Sequence, residues 1–349
     1  MGSPLPTSLR KPGDSLDQPW PGLCLASPET SARRTDSNRH YSINAMTEKI
    51  QDYGTIGIVH FMMWKDTIRG EGNHRSVDTV LADPYFGGIE VTWIKNDAER
   101  ARVAGLVKST GKALAFGAQP VLLTQKLDLN HADEAERRRA VAAVVGVIPQ
   151  AYELGARGLG VLSGKRVAPA DKSHAMERLV KSLSEIAAEL RKLGGIPLIL
   201  ETFDQLPYGK NCLIGPNQDA AAIAREVRKQ FPSFGLMLDL SHLPLQGETP
   251  AHAWEVAGEF VIHAHIGNCV MDAPGHPMNG DEHPPFGDPA GRNGVPELVE
   301  YLRVLKNAAY LRQGGKNFLS FEVCIYGEWT QTTAVKHCQE TLDAAWAQV

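Results

Sequence analysis

The sequence predicts an α/β protein folded as a (β/α)8 barrel, the TIM barrel. Three observations predict it: eight short aliphatic or β-branched runs, a helical pattern between successive runs and after the last, and no glycine-rich phosphate loop behind the first run. The competing architecture, a doubly wound open sheet, would carry that loop where this chain reads HFMMWKD.

The strand candidates, in order, are TIGIVHFMMW (55–64), GGIEVTW (87–93), KALAFGAQP (112–120), GLGVLSG (158–164), IPLILETFD (196–204), FGLMLDLSH (234–242), FVIHAHIGN (260–268) and NFLSFEVCIY (317–326). Each is bounded by Gly, Pro or Asp, the residues that end a strand by forcing a turn. The clearest helix candidate is 174–194, HAMERLVKSLSEIAAELRKLG, with apolar residues at three- and four-residue steps and a closing glycine. Further helical patterns cover 97–110, 132–156, 217–231, 249–260, 294–311 and 331–348. One segment breaks the alternation: CVMDAPGHPMNGDEHPPFGDPAGRNG (269–294), rich in Pro, Gly, His and Asp. A loop of that length inside a compact domain is usually functional, and here it leaves the end of the barrel that carries barrel active sites.

Residues 1–50 differ in kind. They are rich in Pro, Ser, Arg and Asp with no sustained apolar period, and cannot bury enough surface to offset their ordering entropy. A disordered N-terminal extension is expected there, with Met46 as an alternative start, and one catalytic barrel domain over 51–349. The 349 residues and 43% hydrophobic content suffice for such a core. A formal net charge of −4 offers no basic field for a nucleic-acid backbone, so a small or neutral partner is expected. Five scattered cysteines without a CxxC pair argue against a disulfide framework and a structural zinc site, and place the chain in a reducing cytoplasm. No apolar stretch is long enough to span a bilayer.

Polar residues recur at the ends of four successive strand candidates. The fifth ends in Glu201, the sixth in Asp239 with His242 three residues on, the seventh carries His263 and His265, and the eighth Glu322. Period-two alternation puts His263 and His265 on one face of their strand. Ionised groups buried at a barrel mouth must be paired or bound to a cation. Glu201, Asp239, His265 and Glu322 make an oxygen–nitrogen donor set without thiolate, which favours one divalent ion, Mn2+ or Mg2+ first and Co2+ or Zn2+ next. Each carboxylate could instead cap a turn, and His263 could be a packed core histidine.

These motifs resemble the xylose isomerase-like TIM-barrel family of sugar isomerases and epimerases. The resemblance spans about residues 54–349 and rests on LETFD, the D-x-x-H of DLSH, the H-x-H-I-G of HAHIGN and the glutamate of SFEV. It implies that Glu201, Asp239, His265 and Glu322 bind one metal ion. It also implies that Glu201 and Glu322 exchange a proton with the substrate carbon and that His242 bonds a substrate oxygen. The activity implied is metal-dependent isomerisation or epimerisation of a sugar, by proton abstraction next to a carbonyl through an enediolate. Two departures bear on the substrate: Asn268 and Met271 stand where ketose 3-epimerases carry a sugar-contacting Glu and Arg, and Pro207 replaces an acidic residue.

The loop motifs GHP and DEHPPFG resemble those of a branch containing the barrel subunit of C-glycoside deglycosidases. That likeness implies the alternative, a metal-dependent lyase acting on 3-oxo-glycosides with a small partner subunit. Barrels of the family often pair, so a homo-oligomer is the other assembly implied. Candidate substrate contacts are His60, Trp64, Gln119, His263 and Asn268, all at strand ends. Glu90, Trp93 and Ser163 are further mouth candidates, and Glu90 with His60 could form a buried pair between adjacent strands.

Overall fold

The structure, a computed structural model, describes residues 48–349; the extension expected at the N-terminus lies outside the described residues as far as position 47. Eight parallel strands run in the order β1-β8-β7-β6-β5-β4-β3-β2. They are β1 (Thr55–Ile58), β2 (Gly88–Val91), β3 (Ala113–Gly117), β4 (Leu159–Leu162), β5 (Leu198–Glu201), β6 (Gly235–Asp239), β7 (Val261–Ile266) and β8 (Phe318–Phe321). A bridge between Val59 and Glu90 joins the ends of β1 and β2, so the circuit is that of a TIM barrel. Nearly every strand residue is buried, as it must be when helices cover one face and the barrel interior the other.

The helices follow their sequence signals. Asn96 caps the helix Asp97–Thr110 by accepting the Glu99 amide at 3.0 Å, and Gly111 ends it in the left-handed region at φ 68°. The helix Lys172–Lys192 buries Ala175, Leu179, Leu183, Ile186 and Leu190, one stripe at helical spacing. Arg137, fully buried, ties the helix Glu134–Glu153 to it through Glu185 at 2.9 Å and Ser182 at 2.7 Å. At the described N-terminus, the Trp346 indole donates to the Glu48 carbonyl at 2.9 Å, seating residues 48–50 on the C-terminal helix.

All eight strands are shorter than the runs read from sequence, and three of them stop short at the mouth. β1 stops at Ile58, and His60–Met63 turns into one helical turn; β3 stops at Gly117, and Gln119–Gln125 is a helix; β8 stops at Phe321. Trp64 and Gln119 therefore sit on or beside short helices at the mouth, not at strand ends. The reason is burial: the residues directly after these three strands are buried like the strands themselves, so hydrophobicity does not mark where the ladder ends.

The 269–294 loop is built into the barrel rim. Cys324 donates its amide to the His283 carbonyl at 2.7 Å, and Asn293 donates to the Leu240 and Gly267 carbonyls, each at 3.0 Å. Asn268 serves this loop: its amide donates to the Pro285 carbonyl at 3.2 Å, and its oxygen accepts from the Cys269 and Asn293 amides at 2.9 and 2.8 Å.

Candidate metal centre

Ladder register brings polar side chains from neighbouring strands to one level of the barrel. Asp239 pairs with His265, and His265 with Ser320, while Glu322 follows two residues later and donates its amide to the Ile266 carbonyl at 2.9 Å. Glu201 closes β5 on the other side of β6. The structure thus brings Glu201, Asp239, His265 and Glu322 together, with one ligand atom from each lying within 4.8 Å of the others. All four are buried.

The carboxylates are held differently. Asp239 accepts the Ser241 amide at 2.8 Å and the Ser241 hydroxyl. One oxygen of Glu201 accepts from the Gln119 amide at 2.8 Å, while its Oε1 is buried with no hydrogen-bond partner among the described residues. A glycine makes room for this contact: a Cβ at Gly160 would stand 2.8 Å from the Gln119 nitrogen. An unpartnered buried carboxylate oxygen is costly unless a cation or ligand satisfies it. With three carboxylates, one imidazole and no thiolate, the donor set fits one divalent ion of hard or borderline character.

His265 is held at both ring nitrogens. Nδ1 lies 2.7 Å from Glu322 and 3.6 Å from Glu201; Nε2 lies 3.1 Å from Glu90. Burial disfavours the charged ring, but Glu90, Glu201 and Glu322 outweigh it and hold its pKa well above the ordinary histidine value. Glu90 experiences the converse: burial would raise its pKa, but His263 and His265 hold it well below the usual carboxylate range.

Behind Asp239 stands a second polar group, of which the sequence reading named His242 but not Asp281, His283 or Lys210. His242 directs Nδ1 to the Thr202 carbonyl at 2.7 Å and Nε2 to Asp281 at 3.0 Å. His283 lies 2.8 Å from the same Asp281 oxygen, and its Nδ1 is buried without a hydrogen-bond partner among the described residues. Lys210 donates to the Asp281 carbonyl at 2.7 Å. Burial opposes the ammonium, yet Asp281 and Glu282 raise its pKa. Asp281 itself is pulled well below the carboxylate range, against burial, by Lys210, His242 and His283. Asp239, His242 and His283 also form a ligand-like group, as do Glu90, His263 and His265. Only the length and composition of the 269–294 segment hinted that Asp281 and His283 would reach the site.

A cavity of about 180 Å³ opens over the cluster, with Glu201, His265, Glu322, Asp281 and His283 on its polar side. Phe61, Met62, Ile68, Leu123 and Phe203 form its apolar wall, and Gln119, Glu90 and Lys210 also reach it. Of the other expected contacts, His242, His60, Trp64, His263 and Asn268 are not among its lining residues. His60 bonds Ser76 at 2.8 Å and stacks on Trp64 at 4.9 Å, so Glu90 pairs with the strand-seven histidines and not with His60. His263 sits one layer below His265, 2.7 Å from Glu90 and stacked on Phe318. Trp93 donates to the Ile68 carbonyl at 3.2 Å, and Ser163 accepts the Ile214 amide at 3.0 Å.

A family model described as the xylose isomerase-like TIM barrel matches residues 81–342. No curated protein matches the chain in sequence. Among solved structures, the chain is similar to D-psicose 3-epimerase from Clostridium cellulolyticum H10, solved with D-tagatose, at 19% identity and TM-score 0.59 over 83% of this chain and 98% of that one. L-ribulose 3-epimerase matches at 17% identity and TM-score 0.61, over 84% and 96% of the two chains. The IolI protein, solved with a zinc atom, matches at 15% and 0.61, over 83% and 98%. Likeness at these identities establishes the barrel.

Proposed function

The chain belongs to the xylose isomerase-like TIM-barrel family, and from that premise we propose that it is a divalent-metal-dependent isomerase or epimerase acting on a sugar. The observation that carries this reading is the buried convergence of Glu201, Asp239, His265 and Glu322 beneath the cavity, with Glu201 Oε1 left unpartnered. The epimerase names of two similar structures support the substrate class.

Glu201, Asp239, His265 and Glu322 would hold the ion, Mn2+ or Mg2+ before Co2+ or Zn2+. When bound, it supplies a Lewis acid that stabilises negative charge developing on a carbonyl oxygen. Glu201, steadied by Gln119, takes the proton from the carbon beside the carbonyl, and the bonding pair moves to the oxygen to give an enediolate. Glu322, across the cluster, delivers to the enediolate carbon a proton that it draws from solvent, and Glu201 gives its own proton up to solvent. Return to the opposite face of the same carbon is epimerisation; return to the neighbouring carbon is aldose–ketose isomerisation. His242, engaged at both nitrogens, orients Asp281, and the apolar wall excludes water from the reacting carbon.

The test is deuterium uptake from solvent into a panel of sugars. Glu201→Gln and Glu322→Gln should each abolish uptake at the carbon next to the carbonyl; full uptake in either variant removes the assigned base. The wall of Phe61, Met62, Ile68 and Leu123 also favours a second reading, a lyase on 3-oxo-glycosides whose apolar aglycone would lie there. Release of aglycone from such a glycoside, with or without a small partner protein, identifies that activity; exchange without release identifies the first.

A further inference from the structure

We infer that Glu90 is the positioning residue of the metal centre: it holds His265 by Nε2 so that Nδ1 faces the carboxylates, and His263 holds Glu90 from below. The inference rests on the metal-centre reading.

An imidazole ligates a metal through a nitrogen lone pair, so its use depends on ring rotation and on which nitrogen carries the hydrogen. A carboxylate accepting from the other nitrogen settles both. Here His265 Nδ1 points at Glu322 and Glu201, at 2.7 and 3.6 Å, and Nε2 points the opposite way, 3.1 Å from Glu90 Oε1. Glu90 comes from β2, on the far side of the barrel interior from β7. It is 97% buried, and its Oε1 also lies 2.7 Å from His263 Nε2.

His263 cannot easily turn away. Its ring stacks on Phe318 with centroids 5.1 Å apart and planes 17° from parallel, and meets His265 edge-on at 5.2 Å. The H-x-H pair of β7 thus divides its work. His265 faces the cluster, and His263, one period deeper, gives its Nε2 to the carboxylate that fixes His265. Glu90 Oε1 is committed to two imidazoles, as suits a carboxylate that orients a ligand.

The experiment uses the full chain stripped of metal. Mn2+ affinity is measured by calorimetry for wild type, Glu90→Leu, Glu90→Gln, Glu90→Asp and His263→Asn. The Nε2–H signal of His265 is followed by 15N NMR in the Zn2+-loaded proteins. Glu90→Leu is expected to lose roughly 10- to 100-fold in Mn2+ affinity and the hydrogen-bonded Nε2–H signal. Glu90→Gln, equal in size, should retain the fold and lose about tenfold. His263→Asn should move both readouts the same way by less, and Glu90→Asp should recover part of the affinity. Unchanged affinity and an unchanged His265 signal in Glu90→Gln overturn the inference. So does a variant that keeps wild-type affinity but raises KM, since Glu90 would then be a substrate contact. If wild type binds no divalent ion, the metal-centre reading itself fails, which is a distinguishable result.

Discussion

Removing the Glu201 carboxylate from the centre should change the stability of the metal-free protein little and weaken the metal-loaded one. In the metal-free state Glu201 faces Asp239 and Glu322, with ligand atoms no farther than 4.8 Å apart. At that distance and an effective dielectric near 20, each like-charge pair costs about 3.5 kcal/mol. The imidazoliums of His265 and His242, 3.6 and 4.0 Å from Glu201 Oε1, offset both pairs. Glu201→Gln keeps an oxygen for the Gln119 amide and removes repulsion and attraction of similar size, a net change of about 2 kcal/mol or less. With an unfolding entropy near 2.1 cal/mol/K per residue over the described barrel, that change corresponds to roughly 3 °C or less in Tm. Metal separates the two proteins. At an ion concentration about 100 times Kd the wild type gains about 2.7 kcal/mol, roughly 4 °C, while the three-ligand variant gains far less. Differential scanning calorimetry at pH 8, with chelator and then with excess Mn2+, reads both effects. A metal-free Glu201→Gln that melts more than about 5 °C from metal-free wild type, in either direction, refutes the electrostatic reasoning. Equal metal shifts in the two proteins refute Glu201 as a ligand.

Three further outcomes are expected. Burial, reinforced by neighbouring His74, lowers the His60 pKa to about 3. The unfolded chain therefore binds a proton that the folded one refuses between pH 6.5 and about 3, and stability falls on acidification by about 1.4 kcal/mol per pH unit in that window. Urea unfolding of wild type and His60→Asn at pH 7 and pH 5 should show a shallower decline in the variant; parallel declines would assign the acid sensitivity elsewhere. Arg137→Ala should cost about 3 kcal/mol by emptying a fully buried site that joins two helices. Arg137→Met should cost much less, because Glu134 and Glu185 reach water and the Ser182 hydroxyl still donates to Leu129; equal losses in chemical denaturation would contradict this. Gly160→Ala should leave thermal stability nearly unchanged but push Gln119 off Glu201 and reduce solvent deuterium exchange about 100-fold; wild-type exchange would show that the Gln119 contact is dispensable.

The sequence by itself determined the barrel, because hydrophobic alternation, turn residues and helix caps act between near neighbours. Asn96 and Gly111 bracket their helix, and Glu201, Asp239, His265 and Glu322 could be read as the ends of successive strands. Tertiary structure alone decided what each side chain meets. Glu90 and His265 are 175 positions apart, and His242 and Asp281 are 39 apart, separations over which no periodicity carries information. The same alternation that puts His263 and His265 on one face could not say that the first would serve Glu90 and the second the carboxylates. Nor could composition tell that Asn268 would hold a loop while Asp281 and His283 from that loop entered the site. Those outcomes follow from strand register and barrel closure, which select partners in three dimensions after local preferences have chosen the elements.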